Sequence, residues 1–565
     1  MMEKIVLGIS LGFNSSACVL GSSSGVLSAI SEERLTNQKN TKRVPFEAML
    51  ECFRIARVKT IDAIAICHYE NITEEYFQKY SECVTLSGDN WEEYILNYLE
   101  HFNIEVKDKK ILRVDHHTAH GYATLGIYGV SDRKGYLITA DGFGDGVSER
   151  VRKLDGKFNE IVAELPLKSS VGLVYQFVTG ALGFKEHQHE GKITGLAAYG
   201  EPKYLDELFN IDSEVQWLSL EEMEQVKKSQ IIDFDKFLRL KKAVYRLVER
   251  LLFEGATKED IAASVQEYAE RRMKGFISMC CAESGDAYLS GGLFANVKIN
   301  QRIKELGLFN NVYVCPPMGD EGTCIGAAIA AIGIYNYKPS KSAYANVLSG
   351  TDIDGDEDTY DDVCNEINRR CLQDKYRVTF FRNGVEDFIP KALAKNKIVC
   401  LMRDRMEFGP RALCHRSILY NATEKETNDS LNKRLSRSEF MPFAPVCREE
   451  VADKLFKNLD GGRDSAKFMT MTFDGTDEFI QTYKAVAHID GTARPQLVSK
   501  NDDAFMWNVL KRYEELTGLK CLVNTSFNLH EYPIVESEEI ALDSFIKADL
   551  DVLVIGNVVI EKLGE

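Results

Sequence analysis

The sequence contains no C-x-x-C pair. Its 14 cysteines are scattered, and Cys18, Cys400 and Cys521 sit inside apolar runs. Cysteines used this way read as reduced core residues of a cytosolic protein, which excludes a disulfide framework. No apolar run is long enough to cross a bilayer, since the longest weakly polar stretch, 323–335, is too short. The N-terminus passes from Met1-Met2-Glu3-Lys4 directly into the apolar run Ile5 to Ile9 without a signal-peptide pattern, so the expected location is cytoplasmic. There is no solenoid-type repeat. Positive charge is also not in excess: 69 Lys and Arg face 86 Asp and Glu, a net charge of −17. That excludes a surface built to coat nucleic acid but leaves room for a local basic pocket. What remains is an ordinary globular chain of 565 residues, 44% hydrophobic and 27% charged, with length for roughly two to four domains. The expected partner is a small molecule, with no nucleic acid and no membrane; the oligomeric state is not legible.

Strands and helices alternate along the chain, which implies an α/β class. KIVLGISLGFNSSACVL reads as strand, small-residue loop, strand, and Gly25 to Ile30 as a third strand. Further strands are expected in 61–69 and 109–114, the latter running into a helix at HHTAH, and in 135–146. Segment 212–283 reads as helix-rich, and 286–307 and 310–333 as two strand-loop-helix units. The polar stretch 338–361, with its acidic run, reads as a solvated linker or surface loop. It divides the chain into units of about 1–345 and 360–565.

Three constellations carry chemistry. His116 and His120 are spaced i, i+4, so on a helix they share a face and can bind one metal, while His117 points elsewhere. Asp141 and Asp320 read as strand-end carboxylates, where α/β domains place functional groups. A His2Asp2 set with open positions suits iron or zinc. The second constellation is a set of glycine turns, GISLGFNSSA, DGFGDG and SGGLFAN, whose backbone N–H groups can cradle phosphates. Three such turns across two α/β halves resemble the actin-like nucleotide fold. The third is basic: Arg405, Arg411 and Arg416 in RDRMEFGPRALCHRS, with Arg437, Arg494 and the polar run Asn524 to Asn528, reads as an anion pocket. Its alternative is scattered surface arginines in ion pairs.

These residues sit in the segments EERLTNQK, HHTAH, TADGFGDG, EGKITGLAAYG, SGGLFANVKIN, MGDEGTCIGAA, EFGPRAL, PFAP, HIDGTAR and NTSFN. In that order they resemble the NodU-type O-carbamoyltransferases, the family of tobramycin carbamoyltransferase. The resemblance implies an actin-like first domain, similar to the catalytic subunit of threonylcarbamoyladenosine synthesis, and a YrdC-like α/β second domain with a basic cavity. It implies that the second domain makes carbamoyl adenylate from carbamoyl phosphate and ATP, with Mg. The first domain then passes the carbamoyl group to a hydroxyl of a small molecule, such as a sugar or natural product. The implied metal ligands are His116, His120, Asp141 and Asp320. Gly292, Asn296 and Lys39 would contact the adenylate, and Arg405, Arg437, Arg494, Asn524 and Ser526 would line the activating site. Arg411, Asn528 and Asp145 are further members of the nucleotide set.

The sequence departs from the family pattern in the first loop. A His-Asp pair, whose histidine could deprotonate the acceptor, is replaced here by Phe13-Asn14. His187 and His189, just before EGK, could substitute. The family's F-R-P-F-A-P reads F-M-P-F-A-P, and A-L-G-N-R-S reads A-L-C-H-R-S. Two other readings compete. A kinase of the actin-like fold would leave the histidine pair and the arginines unused; a non-catalytic nucleotide-binding regulator would explain the missing first-loop histidine.

Overall fold

The computed structural model describes residues 3–67, 91–129, 134–156, 158–212, 234–435 and 443–563. The first unit contains two five-stranded sheets. Sheet one comprises β1 (Ile5–Ser10), β2 (Ser16–Gly21), β3 (Gly25–Ser31), β4 (Ala63–Cys67) and β5 (Ile111–Val114), in the order β3-β2-β1-β4-β5. Sheet two comprises β6 (Lys134–Gly144), β7 (Val147–Asp155), β8 (Phe158–Pro166), β9 (Gly285–Ser290) and β10 (Phe309–Val314), in the order β8-β7-β6-β9-β10. In each, the first three strands form an antiparallel meander and the last two join the first strand in parallel. This duplicated order is the actin-like arrangement.

Each half sends a helix out of its last strand: α1 (His116–Tyr128) after β5 and α2 (Thr323–Ile332) after β10. The two helices pack against each other closely. A Cβ at Gly326 would overlap the Ala119 carbonyl, and one at Gly126 would strike Ile329 and Ile325. Small residues at these crossings let the backbones approach, and so bring the histidine helix beside the helix that begins just after Asp320.

Apolar strands explain why the centre of sheet one is buried. All six residues of β2 are buried, and β1 and β4 each lack only one. The second unit is an eight-stranded mixed sheet: β11 (Tyr376–Phe380), β12 (Val399–Met402), β13 (Arg416–Asn421), β14 (Ala444–Arg448), β15 (Gln496–Val498), β16 (Cys521–Ser526), β17 (Val552–Ile555) and β18 (Val558–Lys562), in the order β11-β18-β17-β12-β13-β16-β14-β15. Helices Val385–Ala394 and Ala504–Thr517 bury Ile389, Leu393, Met506 and Leu510 in one core with Leu401, Val446 and Leu522 of this sheet. A second apolar core continues between the units through Met318, Tyr344, Phe408 and Phe468.

Three expectations change. Asp141 does not end a strand, because β6 runs on to Gly144; the pairing of β6 with β7 is irregular between Ala140 and Gly144, which frees Asp141 from the regular pleat. Asp320 lies beyond the end of β10, at the start of a short 3-10 turn, Asp320–Gly322. The stretch 338–361 is not a solvated loop: Tyr344, Asn346, Ser349 and Thr351 are buried, because the arginines of the second unit grip its carbonyls. Of the helix-rich segment, 213–233 lies outside the described residues; Phe234–Phe253 and Lys258–Cys280 are helices.

Candidate active site

The α1 helix starts under tight control. Asp115 is its N-cap, accepting from the Thr118 amide at 3.1 Å, and is paired with Arg150. Burial works against the Asp115 charge, but Arg150 and Thr118 hold its pKa at about 2. The Asp145 carboxylate accepts the His116 amide at 2.8 Å. Asp145 therefore anchors the histidine helix, a use different from the nucleotide contact expected for it. His117 turns away, bonded to the Thr139 hydroxyl at 2.8 Å and the Val147 carbonyl at 3.0 Å.

His116, His120, Asp141 and Asp320 converge, one ligand atom from each lying within 4.8 Å of the others. The His116 and His120 Nε2 atoms are 2.9 Å apart. Asp141 Oδ2 lies 2.7 and 3.2 Å from them, and Asp320 Oδ1 lies 3.5 and 3.3 Å from them. Donors at ~2.1 Å from a common centre, at tetrahedral to octahedral angles, sit roughly 3.0–3.5 Å apart. The spacing thus fits a divalent cation, and the mixed N/O donor set suits iron or zinc. Asp141 is aimed by its neighbour: the Gly142 amide donates to Oδ1 at 2.6 Å, leaving Oδ2 for the histidines.

The electrostatics agree. Burial opposes charge on Asp141, yet the hydrogen bonds to His116 and His120 hold it well below the usual carboxylate range. Burial also opposes a proton on His116, but the Asp320 charge and the Asp141 bond raise it well above the usual imidazole value. Such a cluster needs positive charge at its centre, from protons or a metal.

The SGGLFAN turn lies directly over this cluster. Gly291 has φ +111°, and a Cβ at Gly292 would come within 3.0 Å of Asp141 Oδ1. Asn296 caps the helix Val297–Lys304 through the Lys298 and Ile299 amides, and its Nδ2 donates to Gln266 at 2.8 Å. It also reaches Thr194 of the EGKITG segment at 3.4 Å. Lys39 lies on an exposed loop after the helix Glu32–Thr36.

In the second unit, the motif segments meet at one end of the sheet. Ser417 pairs with Ser526, Ala444 with Asn524 and Val446 with Gln496. The Ser526 hydroxyl donates to Asn528 Oδ1 at 2.6 Å, and Arg494 lies in sequence between the short strand Thr492–Ala493 and β15. Asn524 is 1% exposed, and its amide holds the Ala412 carbonyl and Gln496, so it braces the EFGPRAL loop. Arg405 donates to the Leu27 and Ser349 carbonyls at 2.7 Å each, and Arg416 to carbonyls of residues 351, 403, 404 and 415. Both are backbone clamps at the junction, a use the anion-pocket expectation did not include. Arg437 lies outside the described residues.

The two units touch where their motifs face. Arg411 reaches the Ala295 carbonyl of SGGLFAN at 3.4 Å, and Arg34 of EERL reaches the Gly409 carbonyl at 3.1 Å. Lys298 pairs with Asp490 of HIDGTAR and donates to Thr492 at 3.0 Å. The Lys298–Asp490 pair joins two motifs already singled out, and opposite charges in the two segments were its only signal in the sequence.

Phe13 sits against the His187 ring at 5.4 Å, with the Lys42 ammonium 5.7 Å over its face. His187 Nε2 lies 3.0 Å from the Gln176 amide nitrogen, which also bonds Glu186 at 3.0 Å. Burial lowers the His187 pKa, against the raising effect of the Glu186 carboxylate and of Asp320 and Asp141 in the cluster. His189 is engaged elsewhere: Nδ1 accepts from the Lys185 amide at 3.2 Å and Nε2 pairs with Glu531 at 3.4 Å. Asn14 has φ +56°, and its Oδ1 is buried. Gln176 carries no sequence signal.

Residues 5–329 match the family described as carbamoyltransferase N-terminus, and residues 390–562 the family described as carbamoyltransferase C-terminus. An uncharacterized protein of Methanocaldococcus jannaschii is 29% identical over 99% of this chain and 100% of its own. Nodulation protein NolNO of Sinorhizobium fredii is 28% identical over 97% of this chain and 78% of its own. Among solved structures, full-length HypF in its phosphate- and nucleotide-bound form is 14% identical, with a TM-score of 0.31, over 58% of this chain and 56% of its own. Among the described residues, no helix is long and apolar enough to cross a membrane.

Proposed function

The chain belongs to the carbamoyltransferase family and is an enzyme of carbamoyl transfer; from that premise we propose that it activates the carbamoyl group as carbamoyl adenylate and delivers it to a hydroxyl of a small, sugar-like or natural-product acceptor. The two tasks divide between 360–565, which consumes carbamoyl phosphate and ATP with Mg, and 1–345, which carries out transfer. The observation that carries the reading is the four-donor cluster lying directly under the SGGLFAN turn, with Gly292 beside Asp141.

In the second unit, Arg494 and Ser526, with Arg437, hold the anionic substrates. Water releases phosphate from carbamoyl phosphate, and an oxygen of the resulting carbamate attacks the α-phosphorus of ATP, expelling pyrophosphate. Carbamate is a poor electrophile, and the adenylate supplies a leaving group. In the first unit, Gly292, Asn296 and Lys39 hold the adenylate beside His116, His120, Asp141 and Asp320. Those four residues would hold a divalent metal, iron in this reading and zinc as the alternative, which would supply Lewis-acid polarisation when bound. The acceptor oxygen then bonds to the carbamoyl carbon, AMP departs, and a base takes the hydroxyl proton. His187 serves as that base: its lowered pKa keeps it neutral near pH 7, and the acceptor hydroxyl displaces the Gln176 amide from Nε2. Phe13 forms an apolar wall of the acceptor pocket. Contacts of Arg34, Arg411 and Lys298 between the units enclose the labile adenylate and limit its hydrolysis.

The test is nucleotide product analysis. With ATP and carbamoyl phosphate the protein should yield AMP and pyrophosphate, dependent on carbamoyl phosphate. ADP as the product would make it a kinase, and no turnover would make it a regulator; either result contradicts the proposal.

A further inference from the structure

A ligand histidine is held by what its second ring nitrogen meets. Once Nε2 of His116 faces the cluster, the only ring proton is on Nδ1, and a buried N–H must find an acceptor. Cys67, the last residue of β4 and 2% exposed, places its Sγ 3.9 Å from that Nδ1. The Thr323 side chain also lies beside the sulfur, where it favours the thiolate form. The Thr323 hydroxyl lies 2.8 Å from Ser10 Oγ, which donates to the Asp320 carbonyl at 2.9 Å. Ser10 and Cys67 are partners in the parallel pairing of β1 with β4, and Thr323 opens α2.

Nδ1–H of His116 faces the Cys67 sulfur, and the Thr323 hydroxyl beside that sulfur reaches the Asp320 carbonyl both directly at 2.7 Å and by way of Ser10. The line of contacts therefore runs from one ligand residue, His116, to the backbone of another, Asp320. His120 has no such support: its Nδ1 is buried, with no hydrogen-bond partner among the described residues.

We infer that Cys67 is a positioning residue for the metal site, fixing the tautomer and orientation of His116 and coupling it through Thr323 and Ser10 to the segment that carries Asp320. The inference rests on the metal reading of the cluster. Sulfur sits on the Nδ1 side of the ring, so Cys67 acts through His116 and is not itself a ligand.

Cobalt(II) titration of chelator-stripped protein tests this, with the dissociation constant read by chelator competition and the ligand field by visible absorption. Loss of an outer partner of a ligand histidine typically weakens metal binding about 10–100-fold. Cys67→Ala should do so and shift the cobalt d–d bands. Thr323→Val should act in the same direction more weakly, and it decides the matter if Cys67→Ala does not fold. Cys18→Ala, at a fully buried thiol on β2, should leave the cobalt constant within about two-fold and so controls for a simple core cavity. Unchanged cobalt affinity in Cys67→Ala, or an equal loss in Cys18→Ala, overturns the inference while leaving the metal reading intact. A thiolate-to-cobalt charge-transfer band in the wild type would make Cys67 a ligand and also overturn it. No cobalt binding by the wild type would defeat the metal reading and the inference with it.

Discussion

The His116 cluster and the Arg405–Arg416 segment both concentrate buried ionisable groups, but they are satisfied in opposite ways. In the cluster, two imidazoles and two carboxylates face one another. In the arginine segment, the guanidiniums face backbone: Arg416 reaches the carbonyls of Thr351, Arg403 and Asp404, and Arg405 those of Leu27 and Ser349. Arg403 is paired with Asp503 as well. The first arrangement needs positive charge between its carboxylates, from protons or a metal, whereas in the second the positive charges meet backbone carbonyls. Charge density alone therefore does not mark a binding site; the partner that each charge meets does.

The sharpest way to break this contrast is to separate arginines that act on substrate from arginines that hold the chain. Arg494→Ala and Ser526→Ala should each lower carbamoyl-phosphate-dependent pyrophosphate release by about 10²–10⁴-fold. Pyrophosphate release, metal content and thermal stability are measured together, and the last two should stay near wild type. Arg416→Leu should do the reverse. It strands several buried carbonyls and should lower unfolding free energy on the order of 3 kcal/mol, read by denaturant titration. Arg405→Ala, at a less buried clamp, should cost about 1–2 kcal/mol. If Arg416→Leu kept full stability but lost pyrophosphate release, the two classes of arginine would have to be exchanged.

How much of this was legible in the sequence differs between the two regions for the same reason. The convergence of the four donors could be read because i, i+4 spacing fixes two of them on one helix face, and because acidic residues beside glycine turns are positioned by backbone. The strand at Asp141 was misjudged only in length, since an irregular pairing and not a strand end turns the carboxylate inward. The arginines could not be sorted, because a long side chain finds its carbonyls across the junction and nothing local encodes which ones. The same holds for Tyr344, Asn346, Ser349 and Thr351, buried within the polar stretch 338–361, which reads as solvated until Arg405 and Arg416 are seen to hold it. The doubled sheet was legible as two runs of strands, loops and helices, but its shared strand order is a tertiary fact.

The acceptor side sharpens the comparison further. His187→Ala should slow carbamoyl transfer about 10²-fold, at the lower end of general-base contributions, and leave pyrophosphate release unchanged in a parallel assay. Equal transfer rates in His187→Ala and wild type would leave Phe13 as a wall without a base beside it.

The smallest effect is expected at the contact between the units. Burial of Asp490 opposes its charge, but Lys298 and Thr492 hold its pKa at about 2, below its ordinary 3.8. A depressed carboxylate contributes stability that is present above pH 3.8 and is lost as pH falls through about 2. Asp490→Asn should therefore cost about 1–2 kcal/mol at pH 7, and its denaturation midpoint should converge on that of the wild type as the pH approaches 2. A difference that persists undiminished in acid would mean that Lys298 does not draw its hold from the Asp490 charge.

The most direct measurement combines metal analysis with the two half-reactions in one variant, His116→Ala/His120→Ala. The account predicts that this protein, folded by circular dichroism, loses its iron or zinc and its carbamoyl transfer while still releasing pyrophosphate from ATP in the presence of carbamoyl phosphate. Unchanged metal content, or loss of pyrophosphate release together with transfer in a folded protein, would contradict it.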